Sequence, residues 1–109
     1  MLELWQTEWC PASRRIRQRL TELGVDYLIH QVPVERAERT TLVAATGSDE
    51  IPVIVCEDGE IVTGELAIRR RLDERIAEAV GAEAHRSKAE KARRRYLEEE
   101  CECSQPTTP

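Results

Sequence analysis

Residues 2–32 switch between two hydrophobic periods in an order that few folds accommodate. "LELW" at 2–5 alternates apolar and charged residues, the period of a half-buried strand. A helix opens at Cys10 and Pro11, where proline is tolerated because the amide it lacks would be unpaired in the first turn anyway. Ile16, Leu20 and Leu23 recur at helical spacing, and Gly24 ends the run. "VDYLIHQV" at 25–32 predicts a second strand. Strand, helix, strand at this length is a βαβ unit, so the two strands run parallel with a right-handed crossover.

The rest of the chain extends that unit. "PVERAERTTLVAATG" at 33–47 predicts a second helix closed by Gly47. "IPVIVCEDGEIVTG" at 51–64 predicts a hairpin, because two β-branched runs flank Glu57-Asp58-Gly59 and Asp-Gly is a strong turn signal. "ELAIRRRLDERIAEAVG" at 65–81 predicts a third helix, carrying Leu66, Ala67, Ile68, Leu72, Ile76 and Val80 at a period of about 3.6. Residues 82–100 are helix-prone but thinly apolar, with Glu90 and Arg94 placed as a favourable pair one turn apart. They predict a charged, exposed or loosely docked helix, followed by a flexible polar tail at 101–109. The expected organisation is one domain over 1–81, then the charged helix, then the tail; 109 residues are enough for one domain and not two.

Composition narrows the function classes. The chain has no Phe, so its core must be built from Leu, Ile, Val and Ala. A net charge of −5 argues against a protein that coats nucleic acid or an anionic membrane. The clusters Arg14, Arg15, Arg17 and Arg19, Arg69–Arg71 and Arg93–Arg95 read as solvated helix faces. No basic stretch followed by an apolar one marks a signal peptide, and no apolar run approaches the ~18–20 residues of a membrane span. The expected compartment is the cytoplasm, where cysteines 10, 56, 101 and 103 are thiols rather than a disulfide framework.

Cys10 is the residue that points to chemistry. Thiolate is the nucleophile in sulfur exchange, and an ordinary thiol with a pKa near ~8.5 is mostly protonated at neutral pH. A helix N-terminus offers unpaired amides and about half a positive charge, which favour an anion. Cys10 sits at such a junction, Pro11 helps start the helix, and Ser13 lies one turn on, within reach to donate from its hydroxyl or its amide. Arg14 and Arg15 add positive charge. A buried, inert cysteine at a helix cap fits the pentapeptide equally well.

Three motifs in order resolve that choice: "WCPAS" after a strand, "IPVIV" before a hairpin and "TGELAI" opening the next helix. Over residues 2–80 the chain resembles the glutaredoxins, and it is similar to the related N-terminal domain of glutathione S-transferases. The resemblance implies an α/β thioredoxin-like fold, a four-stranded mixed sheet of order 2-1-3-4 with helices on both faces, here with an extra C-terminal helix. It implies that the Ile51-Pro52 bond is cis and lies beside Cys10, and that Val53 lends backbone hydrogen bonds to the cysteinyl part of a bound thiol. It also implies that the turn at Gly64 and Glu65 receives the γ-glutamyl carboxylate. Trp9 is expected to form a wall of the site or to pack in the core.

The sequence departs from these families in ways that shape the expectation. Ser13 stands where dithiol members have a second cysteine, which implies a monothiol cycle on mixed disulfides, with Cys10 as nucleophile and Pro11 and Ser13 in support. Cluster-carrying monothiol members have Gly-Phe where this chain has Pro11-Ala12, so an iron–sulfur carrier is the third reading. Gln6 and Thr7 replace an expected lysine, and Gly64-Glu65 replaces the Glu-Ser of the transferases. Residues 82–109 are too short for a transferase second domain. The alternative to the oxidoreductase is a non-catalytic thiol- or partner-binding module related to the transferase N-terminal domain. The expected cofactor status is none tightly bound, with glutathione or another low-molecular-weight thiol as co-substrate. The expected partners are a small thiol and disulfide-bearing proteins, with no nucleic acid and no membrane, for a monomer or weak dimer. Cys56 reads as a small core residue. Cys101 and Cys103 offer only two ligands, and His30 and His85 lack zinc-site spacing, so no metal site is expected. The tail thiols are candidates for resolving the mixed disulfide or for cross-linking on oxidation.

Overall fold

The structure, a computed structural model, describes the backbone of residues 1–104 and side chains as far as residue 95. Strand β1 (Leu2–Gln6) and strand β2 (Tyr27–Gln31) pair in parallel, with Leu2 opposite Tyr27 and Trp5 opposite His30. Strand β3 (Val53–Val55) runs antiparallel to β1, and β4 (Ile61–Thr63) antiparallel to β3. The sheet order is β2-β1-β3-β4, the expected 2-1-3-4 arrangement.

Alternation along the strands sorts side chains between two layers. Leu2 and Leu4 of β1 and Ile54 of β3 face helices α1 (Pro11–Glu22) and α3 (Glu65–Arg75), packing with Ile16, Leu20, Ile68 and Leu72. Each of these buried aliphatic side chains contributes about 1.5–3 kcal/mol over its exposed state. Trp5 and Val53 face the opposite layer, where they meet Val32 and Leu42 of helix α2 (Thr40–Thr46). Trp5 stacks on His30 with ring centroids 4.0 Å apart. Helix α4 (Ala82–Ser104) packs on α1. No helix among the described residues is long and apolar enough to cross a membrane.

The βαβ unit closes as its sequence implies. Gly24 (φ 69°) ends α1, with its amide bonded to the Thr21 carbonyl and the Val25 amide to the Leu20 carbonyl. A methyl group at Gly24 would come within 3.1 Å of Ala79, so both conformation and space require glycine there.

Two helices are shorter than their sequence patterns suggest. Over 33–47 only a 3₁₀ turn (Arg36–Glu38) and the seven residues of α2 form. The buried Arg39 guanidinium donates to the Pro33, Val34 and Asp49 carbonyls at 2.8–3.1 Å, and a continuous helix would have given the first two to amides one turn on. Over 65–81 the helix stops at Arg75, and Ile76 is extended (φ −132°, ψ 126°). Contacts with α1 hold the chain out there: the Ala79 amide donates to the Glu22 carbonyl at 3.0 Å, and Glu78 accepts from Arg19 at 2.6 Å. Ile68 and Leu72 are buried as their spacing predicts, whereas Leu66 and Val80 are exposed.

Candidate active site

Sheet register gathers the three motifs at one end of the fold. Trp5 lies opposite Val53, and Val53 opposite Thr63, so the end of β1, the start of β3 and the end of β4 coincide. Beyond them lie Cys10, Pro52 and Gly64. The Ile51-Pro52 bond is cis, as the resemblance implied. Pro52 and Val53 are fully buried, and the Pro52 carbonyl accepts the Gly64 amide at 2.9 Å, tying the proline to the start of α3. Ile51 packs on Trp5, Val32, Leu42 and Val53, and is partly buried.

Cys10 is the N-cap of α1, with extended backbone (φ −75°, ψ 119°). Its carbonyl accepts the Arg14 amide at 3.0 Å, the first helical bond, and its Sγ accepts the Ser13 amide at 3.4 Å. Pro11 has no amide, so the first donors the helix turns toward the sulfur come from Ala12 and Ser13. Ser13 is fully buried and its Oγ has no hydrogen-bond partner among the described residues, which leaves that proton available when the sulfur ionises. Partial burial, the largest single influence, pushes the Cys10 thiol up. The Ser13 hydroxyl, the Ser13 and Ala12 amides and the Arg15 charge together outweigh it and hold the pKa below that of a free thiol. Cys56 is the contrast: burial dominates there and pushes its thiol up.

Arg15 and Glu65 complete the rim. Arg15 donates to both carboxylate oxygens of Glu65, at 2.6 and 2.8 Å, joining α1 to the first turn of α3. The ion pair holds the Glu65 carboxyl below the usual carboxylate range, and Arg15 also acts on the Cys10 charge. Glu65 stands in the turn that the resemblance assigned to a ligand carboxylate, and here that carboxylate belongs to the protein. Trp9 is 62% exposed beside Cys10, so it belongs to the surface of the site and not to the core. Gln6 is fully buried; it donates to Glu8 at 3.0 Å and to Gln31 at 3.2 Å and accepts from Arg17.

The sequence-expected residues Trp9, Cys10, Pro11, Ser13, Ile51, Pro52, Val53, Gly64 and Glu65 therefore lie at one end of the sheet. The Arg15–Glu65 pair was missed, since fifty residues separate its members and only the packing of α3 against α1 joins them. Also unforeseen, Cys56, Asp58 and Glu60 have donor atoms within 4.8 Å of one another. Arg71 already binds Glu60 at 2.6 Å and lies 3.8 Å from Asp58, so a guanidinium supplies the positive charge that this cluster attracts. The Cys101 and Cys103 side chains and residues 105–109, where resolving thiols and a flexible tail were expected, lie outside the described residues.

A family model of the glutathione S-transferase N-terminal domain matches residues 9–75, well over half of the chain. The chain belongs to that family. Its structure is similar to that of a glutathione S-transferase from Rhodospirillum rubrum F11, with 32% identity over 69% of this chain and 33% of that one, and a TM-score of 0.60. A glutathione S-transferase from Methylobacillus flagellatus kt, solved with glutathione bound, matches at 24% identity over 69% and 37%, TM-score 0.59. A diazinon-metabolizing glutathione S-transferase of the silkworm Bombyx mori matches at 25% identity over 69% and 38%, TM-score 0.61. The chain spans about a third of the length of these transferases. No curated protein shows a significant match. Within this transferase N-terminal domain, the matched region runs from Trp9 to Arg75, from the residue before Cys10 to the end of α3.

Proposed function

We propose that this domain is a monothiol thiol–disulfide oxidoreductase of glutaredoxin type, acting through Cys10 on mixed disulfides between proteins and a low-molecular-weight thiol. The observation that carries the reading is the Cys10 sulfur at the open N-terminus of α1, accepting the Ser13 amide and held toward its thiolate form. In the first step the Cys10 thiolate attacks the sulfur of the small thiol in the mixed disulfide. A Cys10–small-thiol disulfide forms as the old bond breaks, and the protein leaves as a thiolate. A second small thiol, as thiolate, then attacks the captured small-thiol sulfur. This releases the symmetric small disulfide and regenerates the Cys10 thiolate. The amides of Ala12 and Ser13 stabilise the sulfur charge at both ends of the cycle.

Glutathione is the co-substrate to try first, by kinship with the transferases. A second reading, a thiol-binding module without turnover, is favoured by the Arg15–Glu65 pair. A carboxylate of the protein already sits at the start of α3, so a γ-glutamyl carboxylate arriving there must share Arg15. The test is release of glutathione from a glutathionylated peptide, with trapping of the Cys10 adduct read by mass. Turnover that vanishes in Cys10→Ser supports the oxidoreductase. Saturable glutathione binding with no Cys10 adduct overturns it in favour of the module.

A further inference from the structure

The groove between α1 and α4 is a second surface whose residues the exchange chemistry does not use. It has a volume of about 610 Å³, within the range of small-ligand pockets. Arg14, Gln18 and Thr21 line its α1 side at i, i+4 and i+7, one continuous stripe of the helix. Cys10 is four residues before Arg14, so the stripe begins one turn from the reactive sulfur. On α4 the facing residues are His85, Lys88 and Arg93, with Ala89 and Ala92 between them. In a chain of net charge −5, no acidic residue lines this groove among the described residues.

Its positive charge is largely uncompensated. Arg93 donates to Gln18 at 2.9 Å and lies 3.9 Å from Glu90. The Arg14 side chain has no hydrogen bond or ion pair among the described residues, and its Nε is fully buried without a partner there. Arg14 also lines the neighbouring cleft with Arg15, Arg19, Arg69 and the carboxylate of Glu22. Three other arginines of that cleft are matched: Arg15 by Glu65, Arg19 by three carboxylates and Arg69 by Asp73. A buried donor left free at the head of a groove whose described lining is basic and neutral suits an incoming anion.

We infer that the α1–α4 groove holds an acidic peptide segment flanking the disulfide of the protein substrate, and so sets which mixed disulfides Cys10 receives. The assignment rests on the exchange reading above. From Cys10 to Thr21 α1 rises about 16 Å, which an extended peptide covers in roughly five residues. The segment therefore carries Asp or Glu within about five residues of the disulfide cysteine.

The experiment compares two fluorescent peptides, one with four Asp and one with four Lys beside a central cysteine. Each is used as its glutathione mixed disulfide for exchange and with Ala in place of Cys for binding. The expected result is at least about tenfold tighter binding of the acidic peptide at low salt, with the difference mostly lost at about 0.5 M salt. Lys88→Glu is expected to weaken acidic-peptide binding about fivefold, and Arg14→Gln similarly. Neither the fold nor exchange on the glutathione mixed disulfide of a small uncharged thiol changes in Lys88→Glu. Equal binding of the two peptides, or a preference unaltered in both variants, overturns the assignment. So does tighter binding of a single-stranded oligonucleotide than of the acidic peptide. Selective acidic binding with no exchange on any disulfide instead overturns the oxidoreductase reading and leaves the groove as the docking face of a binding module.

Discussion

The two ends of helix α1 treat polar groups in opposite ways. At the C-terminal end the buried Arg19 guanidinium reaches Glu22 at 2.7 Å, Asp73 at 2.9 Å and Glu78 at 2.6 Å, and Arg86 adds contacts to Glu22 and Glu78. Partial burial opposes the charge of Arg19, and the three carboxylates raise its pKa nonetheless. At the N-terminal end the Ser13 hydroxyl, the Arg14 Nε and the nearby Thr7 hydroxyl are buried without partners. One end uses its donors to lock α1 to α3 and to the turn before α4. The other leaves donors free, one of which, the Ser13 hydroxyl, acts on a sulfur whose charge changes. A saturated network stabilises a fold but has nothing to offer a reacting atom; an unsaturated one costs stability and can stabilise charge as it develops.

Reactivity and stability should therefore separate along the helix. Cys10→Ser is expected to cut thiol exchange to background, about a thousandfold or more, while thermal unfolding stays close to wild type. A variant that retained turnover would break the comparison at its reactive end. At the other end, Arg19→Met is expected to destabilise the domain by about 3–5 kcal/mol, because Glu22 stays buried with its nearest cation gone and only Arg86, at 3.4 Å, in its place. Denaturant unfolding measures this, and alkylation of Cys10 in the folded variant should keep its wild-type rate.

The acid limb sharpens the same contrast. Burial tends to raise Glu22 and Asp73, yet hydrogen bonds from Gln18 and Arg19 to Glu22, and from Arg19 and Arg69 to Asp73, bring both below the usual carboxylate range; Glu78 is lowered chiefly by its hydrogen bond from Arg19. Groups with depressed folded pKa values stabilise the fold above their unfolded values near ~4 and lose that contribution as pH falls through the folded ones. Stability should drop on acidification below about pH 4, and Arg19→Met should show a flatter acid limb. Parallel acid limbs for the two proteins would mean that the network does not set the carboxylate pKa values.

Smaller effects test the donors around the sulfur. Ser13→Ala removes the buried hydroxyl and is expected to raise the midpoint of Cys10 alkylation against pH, slowing the reaction at neutral pH by roughly threefold. Cys56 serves as the internal control, reacting more slowly and with a higher midpoint. Glu65→Gln removes the anion facing Arg15 and leaves that charge to the sulfur. Alkylation at neutral pH should then quicken, by less than about twofold because Arg15 is half exposed. A slower reaction would show that Glu65 positions Arg15 more than it neutralises it.

Much of this molecule was legible in its chain. The strand–helix–strand opening, the Asp58-Gly59 hairpin and the stop at Gly24 rest on local periods and on backbone preferences that a few neighbouring residues decide. Cys10 before Pro11 announced its own position at a helix start for the same reason. Helix lengths were less legible where distant groups competed for the backbone: Arg39 took carbonyls from residues 33–34, and Glu22 and Arg19 drew residues 78–79 out of the period that Val80 seemed to continue. The Arg15–Glu65 clasp and the groove beside Arg14 belong wholly to the tertiary structure. Local sequence determines which conformation each segment prefers, because those energies act within a turn or two. Which charges meet, and which are left without a partner, is decided only when segments fifty or more residues apart are packed together.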